Sequence, residues 1–455
     1  MQKILLAPIA LLATLPAMSV AAGPSDQVGR LRDTALAEDK VAWAFVEGLT
    51  TEVGQRLAGT PEEANGRAWA LARLKALGFA NARIEEYQMP TWVRGEESAS
   101  IVGPFPQKLA ITALGNSGAT PEAGLSAPVV YFPTIADLRA APEGSLKGKI
   151  AFVSHAMKAT QDGSSYGYFG AARRQGPSIA AKKGAVAILI RSIGTDHHRV
   201  PHTGVQTWDK GVTPIPAAAL SVPDAEQLER VLARGKPVTV AMTLTPKFIG
   251  EQTSGNVIAE VPGTDPKAGM IVAACHMDSW DLATGAIDDA AGCAIVTAAA
   301  KQILDSGSKP RRTIRLLLAG AEEVGGFGGE AYFKAHSKEK HALTLESDFG
   351  ADRVWQVQFT LPEGAAPLAT KVGNALSPLG IGIGSTKAHG GSDIEPLVTA
   401  GVPVIDLQQD GTRYFDIHHT ADDTLDKVDL QQLRQNVAAW TATLAIAADD
   451  QQALR

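Results

Sequence analysis

Residue types that bind metals cluster between positions 275 and 348. The chain reads Cys275-His276-Met277-Asp278-Ser279-Trp280, then Ile287-Asp288-Asp289, then Ala321-Glu322-Glu323, and further on Glu346-Ser347-Asp348 and His418-His419-Thr420. Two divalent metals a few ångströms apart need a bridging carboxylate, neutral His, further carboxylates and one position left for water. His276, Asp288, Glu322, Glu323, Asp348 and His419 offer those groups. A His ligand needs its second nitrogen held, usually by a carboxylate, and Asp278 stands close enough in sequence to hold that of His276. In Glu322-Glu323 one side chain can bind metal while its neighbour stays free as general base toward water. The chemistry would be two-metal hydrolysis. Singly, each element is weak: a lone His-x-Asp is usually a loop, and Glu-Glu after a strand is often a solvated helix start. Several at the ends of consecutive apolar strands reverse that reading, because buried unpaired carboxylates are costly without a metal or partner.

The elements that must position these groups alternate. Asn256 to Val261 and Met270 to Ala274 read as strands, Asp289 to Leu304 as a helix, and Thr313 to Leu318 as an apolar strand. Helices at 329–336, 366–376 and 394–400, strands at 342–345 and 402–407, and a long amphipathic helix at 429–447 follow. Apolar strands alternating with helices predict an α/β fold, a mainly parallel mixed sheet with helices on both faces. Ligands of such sheets bind at the carboxyl ends of strands, where His276, Glu322 and Asp348 fall. Residues 23–114 open this unit with two helices and a strand. Residues 115–248 have strands and a helix of their own and read as an inserted, smaller α/β domain, and 249–455 carry the metal-binding half. The insert holds His155, His197, His198 and His202, and the adjacent pair His197-His198 reads as surface.

At 455 residues and a formal net charge of -6, with no basic run, the chain gives no sign of a nucleic-acid role. Lys3, the apolar stretch Ile4 to Leu15 and the small residues Ser19-Val20-Ala21-Ala22 read as a removable signal peptide over 1–22, with no membrane anchor after its removal. The mature protein is expected to be periplasmic or secreted. Cys275 and Cys293 are the only cysteines, and their apolar context suggests two buried free thiols.

His276-Met277-Asp278, Asp288-Asp289, Glu322-Glu323, Asp348 and His419-Thr420-Ala421-Asp422-Asp423-Thr424 resemble, in order, the pattern of the zinc-dependent aminopeptidase and glutamate carboxypeptidase family of co-catalytic metallopeptidases. Trp92-Val93-Arg94-Gly95-Glu96-Glu97, Pro201-His202-Thr203-Gly204 and Trp280-Asp281 are similar to segments of one branch of that family, so the resemblance covers nearly the whole mature chain. It implies a protease-associated insert and two zinc ions per chain, one on His276, Asp288 and Asp348, the other on Asp288, Glu323 and His419. It further implies Glu322 as general base, Asp278 as partner of His276, a cis peptide between Asp288 and Asp289, short peptide substrates and a homodimer. By residue type alone, His418 competes with His419, and Glu346 with Asp348, since strand positions two apart share a face. His389-Gly390-Gly391-Ser392-Asp393 is a candidate substrate loop, with a plain turn before a helix as the alternative, and Tyr414 a candidate support for the tetrahedral intermediate. The expected activity is peptide hydrolysis by a dipeptidase, carboxypeptidase or aminopeptidase. A binding module on the same scaffold is the competing class, and the intact ligand set argues against it.

Overall fold

The computed structural model describes residues 24–454; the expected signal peptide lies outside them. Two eight-stranded sheets organise the chain. In the first, Ile314–Ala319, Met270–His276, His341–Glu346 and Val404–Gln409 run parallel at the centre. The antiparallel pair Ala80–Val93 and Lys247–Val261 extends it on one side, and Val354–Thr360 with Gly382–Ile383 on the other.

Alternation along the central strands explains why both faces are covered. Ile271, Ala273 and Cys275 point into a core shared with Ala294, Ala298, Val437 and Trp440, which lie on helices Ala291–Asp305 and Leu430–Asp449. Val272 and Ala274 point the other way, toward Tyr332 and Leu397 on helices Phe327–His336 and Glu395–Thr399. All five strand residues are fully buried, as a parallel sheet between two helical layers requires.

The second sheet is ordered Gln107–Leu109, Glu97–Gly103, Thr239–Leu244, Leu125–Phe132, Ile150–Val153, Ala187–Arg191, Ala217–Leu220, Ile111–Ala113. It therefore begins at Glu97, ahead of the boundary expected at 115. The strand Glu97–Gly103 pairs with Thr239–Leu244, a partner distant in sequence that local pattern does not reveal. On the other side of the unit, Lys247–Val261 is one long strand paired with Ala80–Val93, where the sequence marked a strand only from Asn256.

Cys275 and Cys293 form a disulfide, with Cα atoms 5.1 Å apart, in place of the two free thiols expected from sequence. The helix carrying Cys293 packs directly on the strand that carries Cys275, which brings the two side chains together. Denatured without reductant, the described chain should present no thiol to an alkylating reagent, and both cysteines should react after reduction. Labelling of two thiols before reduction would refute the pairing.

Candidate metal centre

The three parallel strands that end in His276, Ala319 and Glu346 lie side by side, and their carboxyl ends carry the chemistry. His276 closes its strand. Glu322 and Glu323 follow Ala319 across a tight turn in which Ala321 takes a left-handed backbone (φ 58°). Asp348 follows Glu346. Asp288 and Asp289, joined by a cis peptide, stand at the entry of helix Ala291–Asp305. His419, also left-handed (φ 61°), lies in the turn after the short helix Tyr414–Ile417.

Asp288 sits between two groups of donors. Its Oδ1 is 3.1 Å from His276 Nε2, which is itself 3.3 Å from Asp348 Oδ1. Its Oδ2 is 3.3 Å from His419 Nε2, which is 2.8 Å from Glu323 Oε2. Donors about 2.0–2.1 Å from one tetrahedral zinc lie roughly 3.3 Å from each other, so both groups have the spacing a shared ion demands. Asp288 Oδ2 and Glu323 Oε1 are buried and accept no hydrogen bond within the protein, which is the condition of ligand atoms awaiting a cation. His418 stacks on His419 with ring centroids 3.5 Å apart, and its Nε2 lies 3.4 Å from Asp288 Oδ2. Both imidazoles can share an ion with Asp288, and only His419 also reaches Glu323.

The site is short of positive charge. Burial pushes the Glu322 carboxyl up to about 8 and that of Glu323 to about 7, against the pull of His276 and His419. Burial would also raise Asp288, but His276 and His419 beside it hold its carboxyl well below the usual range. Burial would lower the His276 ring, and Asp348, Asp278 and Asp288 override it, holding the ring well above its usual value. A divalent cation in each group would relieve this surplus of buried acid.

Backbone under the centre is held rigidly. Asp278 accepts from the N–H of Glu322 at 3.0 Å and of Glu323 at 3.2 Å, and its Oδ1 lies 3.5 Å from His276 Nδ1. The ring nitrogen itself meets the Asp278 carbonyl at 3.0 Å. Asp289 spends both oxygens on the N–H groups of His276 and Gly292. Gly292 leaves no room for a side chain: a Cβ there would sit 2.0 Å from the Ser347 carbonyl. Asp423 accepts from the N–H groups of Ala286, Ile287 and Asp288, and burial raises its carboxyl to about 7. Arg56, fully buried, donates to the carbonyls of Gly54, Met277, Thr284 and Gly285.

The expected substrate residues separate. Ser392 reaches Glu322 with its hydroxyl, and Gly390, Gly391 and Ser392 line a cavity of about 200 Å³ with Glu346 and Asp348. Asp393 is buried, and neither of its oxygens has a hydrogen-bond partner within the protein. The His389 side chain is exposed, its backbone N–H donating to Asp406. Tyr414 is buried with its ring 4.9 Å from that of His418.

Several supporting residues escaped the sequence reading. Asp423 lay inside the quoted His-Thr-x-x-Asp-Thr stretch, a signal that pointed to it without a role. Arg56 and Arg173 had none. Arg173 is buried, with Nη1 3.4 Å from His419 Nδ1. His202, from the second-sheet half, is fixed by Asp196 at 2.7 Å and meets the His418 carbonyl at 2.8 Å, while the Thr203 N–H donates to the His419 carbonyl. His197 and His198 are exposed, as expected.

A family model described as "Peptidase family M28" matches residues 256–444. The chain is 34% identical to carboxypeptidase Q of Mus musculus over 407 residues, 88% of this chain and 84% of that one. It is likewise 34% identical to carboxypeptidase Q of Homo sapiens over 410 residues, 89% and 85% of the two chains. The crystal structure of a peptidase M28 precursor from Shewanella amazonensis superposes with a TM-score of 0.92 at 46% identity, covering 95% of this chain and 98% of that one. A zinc aminopeptidase from Bacillus subtilis shares the fold at 20% identity, with a TM-score of 0.65 over 91% and 98% of the chains.

Replacing Asp278 with Ala should weaken zinc binding about 10- to 100-fold, because it frees the His276 ring and the Glu322-Glu323 backbone together. Competition against a chelator of known affinity checks this, and unchanged affinity would show that Asp278 holds nothing the metal needs.

Proposed function

The chain belongs to peptidase family M28, and on that premise we propose that it is an exported di-zinc exopeptidase that hydrolyses dipeptides or short peptides. The observation that carries this reading is the Asp288 carboxylate, with one oxygen toward His276 and Asp348 and the other toward His419 and Glu323. In this reading His276, Asp348 and Asp288 hold one zinc, and Glu323, His419 and Asp288 the second. Zinc in such positions supplies Lewis-acid polarisation of a carbonyl and makes water acidic enough to attack near neutral pH.

Glu322 belongs to neither donor group, which leaves its carboxylate free to take the proton of the attacking water and pass it to the departing amine. The Asp278 oxygens fix the backbone from which Glu322 projects, and the Ser392 hydroxyl orients its carboxyl. Export is supported by Lys3, the apolar run that follows and the small residues before Gly23. No helix among the described residues is long and apolar enough to cross a membrane.

Glu322→Gln should keep its zinc and lose turnover by about 10²- to 10⁴-fold, the usual contribution of a positioned general base. Glu323→Ala should lose zinc from the purified protein. Metal analysis beside hydrolysis of unblocked dipeptides separates the two variants. Normal turnover by Glu322→Gln would sink the assignment.

A further inference from the structure

We propose that a closed-in apolar cavity between the two sheets receives the side chain of the substrate residue on the amine-leaving side of the scissile bond, and so selects peptides with an apolar residue there. This rests on the peptidase reading above. The cavity holds about 240 Å³ and is walled chiefly by Met89, Trp92, Trp208, Phe248, Trp280 and Phe327. No residue that lines it is charged. Its one amide side chain, Asn116, donates to the Gln206 carbonyl, and the Asn116 backbone carbonyl accepts from Gln206 Nε2 and Trp208 Nε1.

Two observations join this cavity to the metal centre. Trp280 is a wall of both: it also lines the small space over Asp288, Glu323 and His419, with its ring 5.9 Å from that of His419. Val324, another wall residue, directly follows Glu323. The Trp280 indole nitrogen is buried and finds no acceptor within the protein, which leaves a donor for the substrate where the two spaces meet. Trp280 is itself held in place, since a Cβ on Gly115 would come within 2.3 Å of its ring.

Orientation follows from charge. Beyond Asp348, the cavity beside it is lined by the acidic residues Asp162, Glu346 and Asp406, with no lysine or arginine. A peptide's ammonium end belongs there. With its scissile carbonyl at Asp288, the residue beyond the bond then lies on the Glu323 side, against the aromatic walls.

The test uses the zinc-loaded full-length mature enzyme and two dipeptide series, Ala-X and X-Ala, with X as Gly, Ala, Leu or Phe. kcat/KM should rise at least about tenfold from Ala-Gly to Ala-Leu, the scale of discrimination that added methylenes supply in an apolar pocket, and rise less across X-Ala. Trp208→Ala should lower kcat/KM for Ala-Phe about tenfold and leave Ala-Gly within about twofold. Phe248→Ser, at a half-exposed lip where folding is not at stake, should shift the ratio the same way. A flat Ala-X series, a size dependence confined to X-Ala, or variants that lower all substrates equally would overturn the proposal. Failure of the zinc-loaded enzyme to cleave either series would instead remove the peptidase reading, and the pocket with it.

Discussion

Asp288 is the carboxylate on which the rest of the centre depends. It is buried, and each oxygen faces a different imidazole, so any shift of its backbone changes both donor groups at once. Burying a carboxylate in this way is costly unless it is paired. The surrounding chain is arranged to keep it in place without neutralising it. Asp423 takes the N–H groups of 286 to 288, Asp289 turns its own oxygens to backbone, and Arg56 ties down the carbonyls on either side. None of these groups consumes Asp288 Oδ2, which stays available.

The second sheet takes part in this arrangement. His202 and Thr203 reach across to the carbonyls of His418 and His419, and Thr195 bonds the turn just before them. His419 sits in a left-handed backbone that costs roughly 1–2 kcal/mol for a residue with a Cβ. Those contacts from the second sheet are what hold it there. The unit that contributes Trp208 to the apolar cavity is therefore also the unit that aims one imidazole.

Much of the catalytic sheet was legible because its signals are local. Apolar strands with Gly and Asp-rich exits mark their own ends, and the metal-competent residues fall at those ends. The helices at Phe327–His336, Ala366–Leu376 and Leu430–Asp449 follow from 3.6-residue spacing for the same reason. What failed was non-local. The second sheet's start at Glu97 depends on pairing with Thr239–Leu244, and the disulfide on a helix docking over a strand. The strand Val354–Thr360 was missed because Gln356 and Gln358 break the apolar run, while only Val354, Val357 and Gln358 are buried. Arg56 and Arg173 gave no signal because a lone arginine in sequence says nothing of whether it ends buried. His276, Asp288, Glu323, Asp348 and His419 were singled out from sequence, and the structure brings their side chains together. The reason His419 and its neighbour differ was a matter of which ring reaches Glu323.

The Asp423 clamp also joins parts of the chain that lie far apart in sequence. It closes on residues 286 to 288 from a position 135 or more residues further along the chain, just before the final helix. A chain emerging amino end first would display His276, Asp288 and Glu323 well before the segment that fixes them. Until that last segment docks, the N–H groups of 286 to 288 lack the acceptor that fixes the direction of Asp288.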